Sequence, residues 1–171
     1  MTKNERIQKL NGLNIVTGDQ IYQLNCMGFF TAPASTKYHG NYEGGLFDHS
    51  YEVATALVSL TVNLGLKWGR GEKSPWLVGM FHDLCKCDQY IEGLDGYEYN
   101  KDVLLKGHGE KSVMMLSNFM QLTEEEILCI RYHMGAYRTE DWDQYDLAIR
   151  KYPNVLFTHT ADMIASKIMG V

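Results

Sequence analysis

Residues 75–86 read PWLVGMFHDLCK. Ser74 ahead of Pro75 sets an N-cap followed by proline at the first helical position, which predicts a helix running to about Cys87. Apart from His82 and Asp83 this helix is apolar nearly all round, the pattern of a segment buried in a core. A bare carboxylate there costs on the order of several kcal/mol unless it is paired or bound to a cation. Adjacent His and Asp in that setting suggest a metal site; the alternative is an Asp paired with a nearby Arg, Lys or capped amide.

Outward from this helix the apolar spacing is mostly helical as well, so the chain reads as one all-α domain over residues 1–171. Upstream, Asp48 is expected to cap a long helix to about Lys67, with a buried stripe of Val53, Ala56, Leu57, Leu60 and Leu64. Residues 2–10 and 17–29 form two short N-terminal helices, and 31–45, with Pro33 and three glycines, is loop. Downstream, residues 88–100 alternate Tyr and Ile with polar residues around Gly93 and Asp95-Gly96, which suits a small β-hairpin or an irregular loop. Helices follow over about 108–121 and, capped by Thr123 with Glu126 three places on, over 124–134. A short helix near 146–151 and a last one opened by Pro153 and ending near Met169 complete the chain.

Composition excludes several classes. With 45% apolar and 22% charged residues the chain can bury a sizeable core, against disorder or a disulfide-stapled miniprotein. The first dozen residues lack a secretory apolar stretch, and the longest uncharged run, 53–66, is interrupted by Thr55, Ser59, Thr61 and Asn63, so no membrane span fits. Four cysteines without a CxxC pair read as reduced thiols of a cytoplasmic protein. A net charge of −5 argues against non-specific duplex binding, which rests on many Lys/Arg to phosphate contacts.

The six histidines are the unexplained feature. His49 begins the stripe of Val53, Ala56 and Leu60, His133 follows Cys129 and Ile130, and Asp162 shares a face with Val155, Ala165 and Met169. A single histidine on an apolar face is usually a hydrogen-bonded core residue. Several such groups on different helices converge better on a metal than on separate coincidences.

These residues, with their surroundings, resemble the HD superfamily of metal-dependent phosphohydrolases. GGLFDHSYEVA, GMFHDLCK and HTADMIASK resemble the family's first-His, His-Asp and distal-Asp helices, and the resemblance covers about Tyr38 to Lys167. It implies an HD core over 37–169 behind a helical extension, 1–36. His49, His82, Asp83 and Asp162 would surround one metal, while His108 in KGHGEKS and His133 in RYHMG, with a bridging Asp83, would surround a second. Imidazole and carboxylate donors favour one or two Mn²⁺, Fe²⁺, Co²⁺, Ni²⁺ or Zn²⁺ ions over Mg²⁺. Within the superfamily the segments look closest to the HD domain of bacterial 3′-to-5′ exoribonucleases, although this chain lacks their OB-type nucleic-acid domain.

The expected activity is hydrolysis of a phosphate ester, of a nucleotide or another small phosphorylated molecule, by a metal-held hydroxide. Alternatives are phosphodiester cleavage of single-stranded RNA or a cyclic nucleotide, and a metal-loaded nucleotide-binding module without turnover. Asp83 and Lys86 are the candidate catalytic residues, Lys86 for a phosphate oxygen; otherwise it is a surface lysine at a helix C-terminus. Lys37, Tyr38 and His39 before the first ligand, and Tyr137 and Arg138 after His133, are candidates for stacking on a base or holding phosphate, with ordinary loop residues the other reading. His159, three residues before Asp162, suits a role behind the ligands ahead of the other reading, a ligand, and Cys85 and Cys87 suit buried core thiols.

Overall fold

In the computed structural model, which describes residues 1–136 and 141–170, the apolar stretch after Lys73 is helix α4 (Lys73–Phe81). Its Leu77, Val78, Met80 and Phe81 are all buried, as a helix apolar on every side requires. Helix α3 (Gly45–Leu64) packs along it, and Gly79 permits the approach: a Cβ there would stand 2.3 Å from the Ala54 Cα. Around this pair lie α6 (Gly109–Ser117), α7 (Glu124–Arg131), α8 (Trp142–Lys151) and α9 (Asn154–Met163), with α7 and α9 both touching α4 and each other. The chain after α9 continues to Met169 as a π-helical turn against α3.

The N-terminal helices α1 (Lys3–Gly12) and α2 (Gly18–Cys26) each begin in a reciprocal capping box, Thr2 with Glu5 and Thr17 with Gln20. Leu10, Leu24, Phe29 and Phe30 from this segment are fully buried in the same apolar cluster as α3 and α4. Phe29 is central to the join, its ring 5.5 Å from Phe81 and 5.7 Å from Phe47.

Several local expectations are corrected. Asp48 does not cap α3: the helix starts earlier, with Gly44 at φ 80 as its N-cap, and Asp48 in the first turn takes a two-pronged bond from Arg6, Nε at 3.0 Å and Nη2 at 2.8 Å. Gly44 is needed there because a Cβ would fall 2.2 Å from the Arg6 guanidinium carbon. The helix stops at Leu64, not near Lys67, since Gly65 turns left-handed at φ 64 and its N–H bonds back into the last turn. Its buried face is Leu46, Phe47, His49, Ser50, Val53, Ala54 and Leu57, while Leu64 is exposed. Ser74 is likewise inside α4, not its cap; its hydroxyl donates to the buried Glu126 Oε1 at 2.8 Å.

Residues 88–100 do form a hairpin, strand β1 (Tyr90–Gly93) against β2 (Gly96–Tyr99), joined at Leu94-Asp95 with Tyr90 facing Tyr99. A one-turn helix, α5 (Lys86–Gln89), precedes it. Thr123 caps α7 with Glu126 as expected, but α7 ends at Arg131, and α8 starts at Trp142, ahead of Asp146. Among the described residues no helix is long and apolar enough to cross a membrane.

The close approach at Gly79 gives a direct test. Gly79→Ala must push α3 off α4 and is expected to cost about 3 kcal/mol, read from urea unfolding. A loss below about 1 kcal/mol would contradict this packing.

Candidate metal centre

The helix holding the His-Asp pair does not run to Cys87. After Phe81 the backbone tightens: His82 N–H still reaches the Val78 carbonyl, but Leu84, Lys86 and Cys87 bond back only three residues, to Phe81, Asp83 and Leu84. His82 and Asp83 thus stand at the end of a buried helix, 0% and 2% exposed. His49 comes from the second turn of α3, His108 from the N-cap of α6, His133 from just beyond α7, and Asp162 from α9. Segments far apart in the chain therefore deliver one polar cluster into an apolar interior.

Asp83 lies at its middle, and its two oxygens face different partners. Oδ1 is 3.0 Å from His108 Nε2 and 3.3 Å from His133 Nε2. Oδ2 is 2.6 Å from Lys86 Nζ, 3.4 Å from His82 Nε2 and 3.7 Å from His49 Nε2. Asp162 Oδ1 is 3.3 Å from His49 Nε2 and 3.9 Å from His82 Nε2. Three sets of donor atoms lie within 4.8 Å of one another: His49, His82 and Asp83; His82, His133 and Asp162; and Asp83, His108 and His133.

The imidazoles are oriented for coordination. His82 Nδ1 donates to the Gly79 carbonyl at 2.8 Å, and His133 Nδ1 to the Ile130 carbonyl at 2.7 Å, in both cases three residues back. That leaves each Nε2 aimed into the cluster, buried and without a hydrogen bond. A buried ring nitrogen without a hydrogen bond is unfavourable by itself, and a divalent cation bound by the neutral imidazole would satisfy it, so the residues present fit a metal. Hydrogen bonding of the second ring nitrogen to a carbonyl is the usual way a ligating histidine is held.

Charges within the cluster support one another. Burial disfavours ionisation of Asp83, yet the Lys86 ammonium and the imidazoles of His82 and His108 hold its carboxyl well below the usual carboxylate range. Burial equally disfavours the Lys86 ammonium, and Asp83 outweighs it and raises the Lys86 pKa. His133, fully enclosed, is pushed down by burial, with the neighbouring His82 adding to the effect and Asp83 opposing it.

Other candidates from the sequence fall differently. His39 reaches the cluster edge, its ring 4.9 Å from that of His49, and burial together with His49 and Lys86 pushes its pKa down to about 4. Lys37 and Tyr38 on the same loop are exposed, Tyr38 by 82%. Tyr137 and Arg138 lie outside the described residues. His159 sits behind the cluster, its Nδ1 2.6 Å from the His133 carbonyl. Lys86 is 7% exposed and so is no surface lysine. Sequence reasoning missed Arg6, whose partner Asp48 lies 42 residues on, and the contact of Cys85 Sγ with His108 Nδ1 at 3.3 Å.

Comparison with known proteins agrees with this geometry. The family model for the HD domain matches residues 46–165, a span that encloses every residue of the cluster from His49 to Asp162. No curated protein and no solved structure matches the chain. With most of its length and its buried His-Asp cluster inside that match, the chain belongs to the HD domain family of metal-dependent phosphohydrolases.

Proposed function

We propose that the enzyme hydrolyses the phosphate ester of a small phosphorylated molecule, most simply a nucleotide, and that two divalent ions would be held by the residues around Asp83. The observation that carries this reading is the division of Asp83: one oxygen faces His108 and His133, the other His49 and His82. A carboxylate shared in this way suits a bridge. His49, His82, Asp83 and Asp162 would hold one ion, and Asp83, His108 and His133 the other. Imidazole with carboxylate oxygen favours Mn²⁺, Fe²⁺, Co²⁺, Ni²⁺ or Zn²⁺. Bound there, such ions supply Lewis-acid activation of the phosphoryl group and of the attacking water.

The chain's own residues set up the rest. The carbonyls of Gly79 and Ile130 keep the rings of His82 and His133 from turning. Lys86, one turn beyond His82 and already charged against Asp83, is placed to carry its ammonium to a phosphate oxygen and balance negative charge as it builds. His39, its ring 4.9 Å from that of His49, lies at the edge of the cluster on that side. Burial of most of the donors, with His108 the most open, favours a substrate that presents a single terminal phosphate. The net charge of −5 agrees, since a polynucleotide track needs extended positive charge. We assign the HD unit to residues 37–169 with 1–36 as an extension, and the free cysteines fit a reducing, cytoplasmic setting.

A hydrolysis screen across nucleoside mono- and triphosphates, cyclic nucleotides and labelled single-stranded RNA, with Mn²⁺, Co²⁺, Ni²⁺ and Mg²⁺, is expected to give phosphate release from nucleotides above any cleavage of RNA. Faster cleavage of RNA or of cyclic nucleotides would instead make the enzyme a phosphodiesterase.

Asp83→Ala is expected to abolish hydrolysis and the retention of both ions after dialysis, measured by metal analysis; full activity in this variant would sink the assignment. Lys86→Met should keep the ions and lose about 10–100-fold in kcat/KM, the worth of one hydrogen bond to a charged group. Unchanged kcat/KM would remove Lys86 from the phosphate.

A further inference from the structure

We propose that Cys85 is a positioning residue for His108, its sulfur accepting the Nδ1–H of that ring so that Nε2 is presented to the second ion. This rests on the two-ion reading above, in which His108 is one of three donors to that ion.

A histidine that ligates through one nitrogen carries its proton on the other, and that N–H needs an acceptor that also fixes the ring plane. His82 and His133 find theirs in a carbonyl three residues back, available because each follows the last turn of a helix. His108 has no such turn behind it. It is the N-cap of α6, at φ −126 and ψ −88, with the left-handed Gly107 before it. The sulfur of Cys85, 3.3 Å from Nδ1, takes the place of that carbonyl, while Nε2 looks the other way to Asp83 Oδ1 at 3.0 Å.

Two backbone bonds make this arrangement closed. Cys85 N–H donates to the Ser112 hydroxyl oxygen at 3.0 Å, and Ser112 N–H donates to the His108 carbonyl at 3.0 Å. Cysteine, serine and histidine are thereby fixed to one another with no contribution from an ion. Cys85 also belongs to the tight turn after α4, so the local geometry that sets the Asp83 carboxylate sets the sulfur too. Filling the core at this fully buried position would need only a small side chain; the contact with a ring nitrogen is additional to packing.

The test compares full-length wild type, Cys85→Ala and Cys85→Ser. Binding of Mn²⁺ is followed by calorimetry, the ligand field of Co²⁺ by its visible absorption, and the fold of the metal-free protein by thermal melting. The wild type is expected to bind two ions. Cys85→Ala should weaken the second by about 10–100-fold, with an altered Co²⁺ spectrum for that ion and the first ion's affinity unchanged. Cys85→Ser keeps an acceptor beside Nδ1 and should recover most of the loss. Wild-type affinity for both ions in Cys85→Ala overturns the inference, as does an equal loss in the two variants that follows their melting temperatures. A wild type that binds one ion takes down the two-ion reading, and the role of Cys85 with it.

Discussion

Asp83 carries a charge into the interior of the helical bundle, and the arrangement around it follows from that. An ionised carboxylate so enclosed costs on the order of several kcal/mol unless positive or polarised groups surround it. Lys86 gives a full charge at 2.6 Å, and imidazoles from α3, the end of α4, the N-cap of α6 and just beyond α7 complete the enclosure. His82 and Lys86 share the Asp83 segment, but His49, His108, His133 and Asp162 arrive on others, so the packing of those segments and the geometry of the cluster are one problem. Gly79, where α4 closely approaches Ala54 of α3, helps bring His49 and His82 to the same carboxylates.

The position of α3 depends in turn on the N-terminal helices. Arg6 is 3% exposed and binds Asp48 through two nitrogens, one residue ahead of His49. The loop that begins α3 wraps this guanidinium so closely that only glycine fits at position 44. Phe29 and Phe30 meanwhile pack on Phe47. The segment ahead of the family match thus braces the first histidine helix by an ion pair on one side and aromatic contacts on the other.

Residues whose chemistry conflicts with their surroundings were legible in the sequence. His82, Asp83 and Asp162 stand out as polar groups in apolar helices, and the alternation around Gly93 and Gly96 narrows residues 88–100 to a hairpin or an irregular loop. Where one residue type serves two purposes, sequence could not decide. Asp48 and Ser74 look like caps, since Asp and Ser before an apolar run usually are, but the one binds Arg6 and the other Glu126, 52 residues away. The end of α4 left no trace either, because residues 82–87 suit a helix in composition, although Leu84, Lys86 and Cys87 bond back only three residues. Lys37 and Tyr38 differ from His39 in the direction of a loop side chain, which no local rule encodes.

The orientation of the donors shows which comes first, site or ion. In small zinc domains the metal organises ligands that are otherwise disordered, and binding energy is folding energy. Here the rings of His82 and His133 are held by carbonyls of their own helices, and Lys86 already balances Asp83. The apolar cluster from Leu10 to Ala165 encloses the donors independently of any ion. What the fold leaves unfavourable at the cluster includes buried ring nitrogens without a hydrogen bond, His82 Nε2 and His133 Nε2. Their cost is carried by the rest of the core, and an ion that relieves it gains affinity from donors already in place, with little ordering left to oppose binding.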